Sequence, residues 1–346
     1  MQHIHYFKNR KINQQIFNKK INWFFDIKSV IYGKYKKKTI QNFANQISKD
    51  YYLISKIKNP KKNRLVKKIN SHKLIIKSYS KNKKIIKIIK SIHKLKMNKY
   101  FKYFLIQGSI ASRDYINGYS DFDTFVVIKN ETLIDNKQIL ELRNKLNKLY
   151  KNIISFSKLQ HHGLIIYTEY DLQNYLKGFL PVQALRKNSN LFKSEKIKFK
   201  LTVDKKENLS KKILVDRKKF LEKSIKSKTY NHHVKNKNNI PKIPFRSGDP
   251  FLFELFYQIG TVLNIPILFL DAIGKSSHKK KSFLKFYKIV NNNFVIDFIK
   301  KHENLRLNWK DYDSKNLNIS KKLIEYLGSN YIDDCLKIYK IILSKL

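Results

Sequence analysis

The chain has 346 residues, 74 Lys+Arg against 25 Asp+Glu, a formal net charge of +49 and a single cysteine, Cys335. One cysteine excludes an internal disulfide framework and any multi-cysteine metal site, and 42% hydrophobic residues are too many for a wholly disordered polybasic chain. No run approaches the roughly 18 apolar residues of a membrane span and the first twenty residues hold no signal-like apolar core, so a cytoplasmic, soluble protein of two or three modules with no membrane partner is expected.

The charge invites a nucleic-acid reading, because Lys and Arg neutralise phosphates. Compositional bias competes with it: the chain is rich in Lys, Ile, Asn, Tyr and Phe, all with AT-rich codons, and nearly all its positive charge is Lys rather than the bidentate phosphate reader Arg. The distribution is more telling than the total. Residues 1–98 carry a net +25 and 181–346 a net +21, whereas 101–180 carry only +2. Bias alone would spread lysine evenly, so the near-neutral middle is where chemistry is sought.

Residues 1–98 read as a basic, mainly helical extension. Ile85, Ile86, Ile88, Ile89, Ile92 and Leu95 recur at helical spacing across 81–96, and Asn59-Pro60-Lys61-Lys62-Asn63 breaks the segment. Residues 99–203 form the second module, with strands at 103–106, 124–128 and 164–168 and a helix at 135–151. A helix at 209–226 and a linker at 227–249 make up the third segment, 204–249. In the last segment, 250–346, Asp249 caps a helix that starts at Pro250. That helix is apolar almost all round over 251–263, and Pro266 should end or kink it. Helices follow at 279–290, 293–302 and 320–345, the last broken at Gly328. No strand is expected after residue 203. The fold class is α/β (α+β): a small mixed sheet with helices, flanked by the basic extension and a C-terminal helical bundle.

The informative stretch runs from Tyr103 to Ile128. Gly108-Ser109 follows the first strand and opens a short helix, where glycine lets backbone approach a ligand and N–H groups can bind phosphate oxygens. Asp121 and Asp123 flank Phe122 at the start of the second strand. Positions i and i+2 share a face, so the two carboxylates converge while Phe122 and Phe125 face the core. Adjacent carboxylates repel unless a cation lies between them, and Mg²⁺ takes carboxylate and phosphate oxygens. A phosphate cradle facing a divalent site describes metal-assisted phosphoryl or nucleotidyl transfer.

This segment resembles the signature of the nucleotidyltransferase superfamily, the polymerase-beta-like fold: an apolar residue, Gly, Gly or Ser, a short spacer, then Asp-apolar-Asp/Glu-apolar. Gly108, Ser109, the 11-residue spacer, Asp121, Phe122 and Asp123 follow the pattern. Thr124 follows it only loosely, and Gln107 stands where an apolar residue is usual. The resemblance covers about residues 100–170. It implies transfer of a nucleoside monophosphate from an NTP to an acceptor hydroxyl with release of pyrophosphate. Asp121 and Asp123 would bind two Mg²⁺ ions, and Gly108 and Ser109 would hold the triphosphate. The family usually adds a third carboxylate on a following strand, and here His161-His162-Gly163 occupies that place. Three readings stay open: His162 replaces the acid as base or metal ligand, Glu169 reaches the site from elsewhere in the strand, or the protein manages with two carboxylates or is catalytically weakened. Arg113, after Gly-Ser, is a candidate phosphate contact. By analogy with two-module relatives of the family, Lys279 or Lys281 would offer a cation to the triphosphate. A nucleic-acid 3′-end as acceptor, gripped by residues 1–98, and a non-catalytic nucleotide-binding or partner protein are the alternatives.

Overall fold

The computed structural model describes residues 13–33, 35–57, 64–79, 82–156, 160, 163–176, 179–180, 182–185, 187–202, 208–226, 250–275, 279–309, 325–328 and 330–346. The chain divides into two compact units, Met1–Tyr115 with Ser120–Asp204, and Ile116–Tyr119 with Lys205–Leu346.

The first unit contains, in chain order, α1 (Gln14–Phe24), α2 (Lys37–Lys56), β1 (Arg64–Lys73), α3 (Lys83–Lys94), β2 (Phe101–Ile106), α4 (Gly108–Ser112), β3 (Thr124–Ile128), α5 (Asn130–Ile134), α6 (Asn136–Ile154), β4 (Ile166–Thr168), α7 (Glu169–Gln173), β5 (Ser189–Asn190) and β6 (Glu195–Thr202). Side-chain caps set several helix starts: Asn13, Asn82 and Asp135 each accept from main-chain N–H groups of the first turn, satisfying donors that have no intrahelical partner. The strands form one six-stranded mixed sheet in the order β4-β3-β2-β5-β1-β6. β3/β4 and β5/β1 run parallel, the other neighbours antiparallel. The fold is therefore α+β, as the sequence leads one to expect.

Alternation along the strands divides the core in two. Phe104, Ile106, Val126 and Ile128 join the helical layer, where α3 contributes Ile85, Ile88, Ile89 and Ile92. Tyr103, Leu105, Phe125 and Val127 point to the opposite face and pack with Ile69, Ile197, Phe199, Leu172 and Leu185. Phe122 belongs to the first cluster and Phe125 to the second. The expectation that both face one core is corrected: an odd spacing of three sends them to opposite faces of the sheet.

Residues 1–98 are not a separate extension. β1 is a strand of the sheet, paired with β6 from Arg64↔Thr202 to Ser71↔Glu195. Helix α1 is tied to α6 through Arg143, which is buried and donates to the main-chain carbonyls of Phe24 and, at 2.5 Å, of Ser29. Burial pulls that guanidinium down to about 10. Lys20 pairs with buried Asp50, which also accepts from Gln46 at 2.7 Å. A charged chain segment becomes core here because its apolar positions, among them Phe17, Ile21 and Ile47, are fully buried.

The second unit contains α8 (Leu209–Lys226), α9 (Pro250–Ala272), α10 (Lys279–Val290), α11 (Asn293–Leu307) and α12 (Tyr331–Ser344), and no strand among the described residues. Helix α8 packs on α9 and α12, so 209–226 belongs with the C-terminal helices rather than with a linker segment; 227–249, including Asp249, lie outside the described residues. Helix α9 runs through Pro266 to Ala272 instead of ending there. Proline removes one intrahelical bond, and burial of Val262, Leu263, Ile265, Phe269 and Leu270 on either side outweighs that loss. The final break falls where expected, with Gly328 at φ +94° ahead of α12. His302 is buried, with Nδ1 2.7 Å from the Phe298 carbonyl and Nε2 3.0 Å from the Tyr331 hydroxyl, and burial pulls it down to about 4. Cys335 is buried too, its thiol pushed up to about 12, which makes it an inert core residue. The spacer segment Ile116–Tyr119 counts with this unit, where Tyr119 meets Trp309 edge-on at 5.1 Å. Among the described residues no helix is long and apolar enough to cross a membrane.

Candidate active site

The antiparallel pairing of β2 with β3 builds the candidate site. Its register places Ile106 opposite Thr124, so the next pair outward sets Gln107 opposite Asp123. The Gln107 N–H donates to the Asp123 carbonyl at 3.1 Å, and its side-chain Nε2 donates to the Thr124 carbonyl at 3.2 Å. Gln107 is buried. A polar residue therefore stands where the resemblance has an apolar one because its amide fastens the two strand ends together.

Gly108 follows at φ +66°, a conformation that side chains with a Cβ rarely adopt. A Cβ there would collide with Oδ2 of Asp123 and lie 3.1 Å from its Cγ. The glycine backbone is thus seated against the second carboxylate. Beyond it, α4 is a single turn: Ser112 Oγ donates to the Gly108 carbonyl at 2.9 Å, and the Asp114 N–H to the Ser109 carbonyl at 3.0 Å. Ser109 is half-buried. Arg113 lies just past α4 rather than within a helix, at φ +61°, with an exposed side chain. Tyr79 donates to the Ile110 carbonyl at 3.4 Å; burial raises its phenol and the nearby Arg113 charge opposes the shift.

Phe122 is the anchor of the acidic pair. It is fully buried, meets Phe156 edge-on at 5.6 Å and donates its N–H to the buried Gln160 side chain at 2.7 Å. With Phe122 fixed in the core, the flanking residues project the other way in extended chain, and Asp121 and Asp123 are both half-buried. Among the described residues no group of three or more His, Cys, Asp or Glu is placed to hold a metal. Two carboxylates nevertheless match the needs of Mg²⁺, which commonly uses one or two with substrate phosphates and water. The donor set is all oxygen, which suits a hard cation and not zinc.

The place of the third acid is now clear in part. β4 pairs with β3 in parallel, Val126 with Ile166, and the same register carried back sets Gly163 level with Asp123. A Cβ on Gly163 would lie 3.1 Å from the Tyr150 ring, and Tyr150 is fully buried. A side chain at 163 would be a tight fit that needs the Tyr150 ring to shift by a few tenths of an ångström. The strand itself starts at Ile166, two residues later than expected. Glu169 sits at the opposite end of β4, where it pairs with Lys102 and accepts from the Asn130 N–H at 3.1 Å. The reading in which Glu169 reaches the site is therefore corrected; it lies level with the far end of β3, whose five residues separate it from the acidic pair. Asp171 is used for structure, accepting from Thr168 as the capping box of α7 and from Gln14 at 2.7 Å.

His162 lies outside the described residues, as does the side chain of Lys279. Lys281 is exposed on α10 of the second unit. The structure thus brings Gly108, Asp121 and Asp123 to one end of the β2/β3 pair, with Ser109 one residue on and Arg113 just beyond the turn. Gln107, noted in the sequence only as a departure from the pattern, and Gln160, not singled out there, fix the positions of Asp123 and Phe122 through their amides; an amide at an otherwise apolar strand end was the available signal. No family model, no curated protein and no solved structure matches the chain.

Proposed function

We propose that the protein is a Mg²⁺-dependent nucleotidyltransferase that moves a nucleoside monophosphate from an NTP to an acceptor hydroxyl. One observation carries the reading: the backbone of Gly108 is seated directly against the Asp123 carboxylate, so a turn able to hold phosphate and an acid able to hold a cation meet at one point. Asp121 and Asp123 are the residues that would hold Mg²⁺, which supplies charge neutralisation and Lewis acidity at phosphate oxygens. The N–H groups at Gly108 and Ser109 and the Ser109 hydroxyl hold the triphosphate. Charge on the transferred group is stabilised by donors already fixed in place, since the β2/β3 pairing positions the turn before substrate arrives. The acceptor oxygen forms a bond to the α-phosphorus as the bond to the β-phosphate bridge breaks, and pyrophosphate leaves. The acceptor proton passes to a base, for which His162 is the candidate. The contributions of Lys279 and Lys281 rest on the family resemblance alone.

The test is the double substitution Asp121→Ala with Asp123→Ala in the full chain, assayed with each labelled NTP, Mg²⁺ and cell extract as acceptor source. Pyrophosphate release should fall by about 10³-fold or more, of the order seen when transition-state charge stabilisation is removed, while circular dichroism stays unchanged. Undiminished release by the double variant overturns the reading, and so does a wild-type chain that binds no Mg-NTP in calorimetry.

A further inference from the structure

The β1–β6 ribbon, at the far edge of the sheet from β4, has one face that the helical layer leaves open. Ile197 and Phe199 of β6 and Ile69 of β1 turn into the second core cluster. The alternate positions therefore turn the other way: Lys196, Lys198 and Lys200 on β6, with Lys68, Asn70 and His72 on β1. Lys68, Asn70, His72, Lys196 and Lys198 are exposed. Register makes the crowding worse, because Lys68 stands directly opposite Lys198, and like charges facing each other across strands destabilise a sheet. Among the described residues no ion pair involves Lys68, Lys187, Lys196, Lys198 or Lys200. The ribbon's acid, Glu195, is at an odd position with the buried set and lies with Tyr103 and Asn190 instead.

The basic face leads into a pocket of about 450 Å³ lined by Lys68, Asn70, His72, Lys187, Asn188 and Ala111. Asn188 is buried and rigidly held, accepting from Ser71 at 2.6 Å and donating to the Leu185 carbonyl at 2.7 Å. Ala111 is on α4, two residues after Ser109, so the pocket opens beside the turn that carries Gly108 and Ser109. Lysines two apart on a strand are about 6.8 Å from each other, a spacing on the scale of successive phosphates in a stretched nucleic-acid strand.

We infer that the open face of the β1–β6 ribbon binds the phosphodiester backbone of a single-stranded nucleic acid and leads it towards the Gly108 turn. Charge complementarity selects this occupant. The face carries four lysines and a histidine with no acid among them, and lysine ammonium groups serve as point charges for a backbone that needs no bidentate reading. The grip is thus on a defined sheet face rather than on residues 1–98 as a whole. Binding stands by itself; that the bound strand is the acceptor rests on the transfer reading above.

The experiment is fluorescence anisotropy of the full chain with labelled single-stranded RNA and DNA oligonucleotides across a salt series. A ribbon variant, Lys196→Gln with Lys198→Gln and Lys200→Gln, is compared with a control that removes equal charge from exposed positions of α3, Lys87→Gln with Lys90→Gln and Lys94→Gln. The ribbon variant should weaken binding at least tenfold and lower the log–log salt slope by about two, at roughly 0.7 per lost phosphate contact. The control should move affinity less than about twofold. Equal weakening by the two variants, salt-independent binding, or binding to phosphatidylserine vesicles but not to oligonucleotides overturns the inference. Asp121→Ala with Asp123→Ala should leave binding intact. Failure of the two proposals is therefore distinguishable: lost transfer with intact ribbon binding touches the reaction alone, and transfer that survives in a ribbon variant with unaltered binding touches the inference alone.

Discussion

The two halves of the sheet share one strand geometry and meet water differently. In β2 and β3 nearly every residue is buried, so both strands read as continuous apolar runs, the pattern of strands covered on both faces. In β1 and β6 the pattern alternates, Ile197 and Phe199 inward and Lys196, Lys198 and Lys200 outward, as in a sheet with one face in solvent. The covered half ends in the acids Asp121 and Asp123; the open half is basic. A sheet that segregates coverage in this way also segregates charge. Short stretches of both lysine-rich flanks, β1 and β6, thus share one sheet with the near-neutral middle, while Lys205–Leu346 counts with the second unit.

Breaking the covered half has the largest expected effect. Phe125 is fully buried and stacks on Tyr167 at 4.6 Å, so Phe125→Ala should cost about 3–5 kcal/mol in chemical denaturation. A loss under about 1 kcal/mol would mean that this face is not packed as described. Next comes Gly108→Ala, which forces a side chain into positive φ and into the Asp123 carboxylate. It should destabilise by about 1–3 kcal/mol and reduce NTP turnover more than stability, read as kcat against unfolding midpoint. On the open half the sign reverses. Lys198→Glu places an acid opposite Lys68 and should stabilise by about 0.2–1 kcal/mol, with the gain fading at high salt. Smallest of all is Glu169→Gln at the far end of β4, where the partly exposed pair with Lys102 is worth under about 1 kcal/mol. NTP turnover should not change, and a large loss there would reinstate Glu169 as the third acid.

Legibility in the sequence followed the same division. The strand at 124–128 and the helices at 209–226 and 279–290 have the bounds expected from periodicity, because their apolar pattern is unbroken by competing signals. β1 and β6 were missed. Their outward lysines resemble the solvated face of a helix, and a two-residue alternation among so many lysines was masked by the composition; Lys196-Ile197-Lys198-Phe199-Lys200 carried the signal. The acidic pair and the Gly-Ser turn were legible because glycine is scarce in this chain, 9 residues, and acids are far outnumbered by bases, 25 against 74. What holds them was not: Gln107 and Gln160 act through long-range pairings that no local spacing encodes, and the tight fit around Gly163 depends on Tyr150, on helix α6.

The seating of Gly108 against Asp123 has a consequence for cooperativity. The two residues are held by the last hydrogen bonds of the β2/β3 pair, so the turn cannot swing away from the carboxylate while those strands stay zipped. The amide of Gln107 should therefore exchange its hydrogen as slowly as those in the centre of the sheet, through global rather than local opening. In that sense the site has no unfolded-but-tethered state of its own: it appears when the sheet closes and disappears only when the sheet opens.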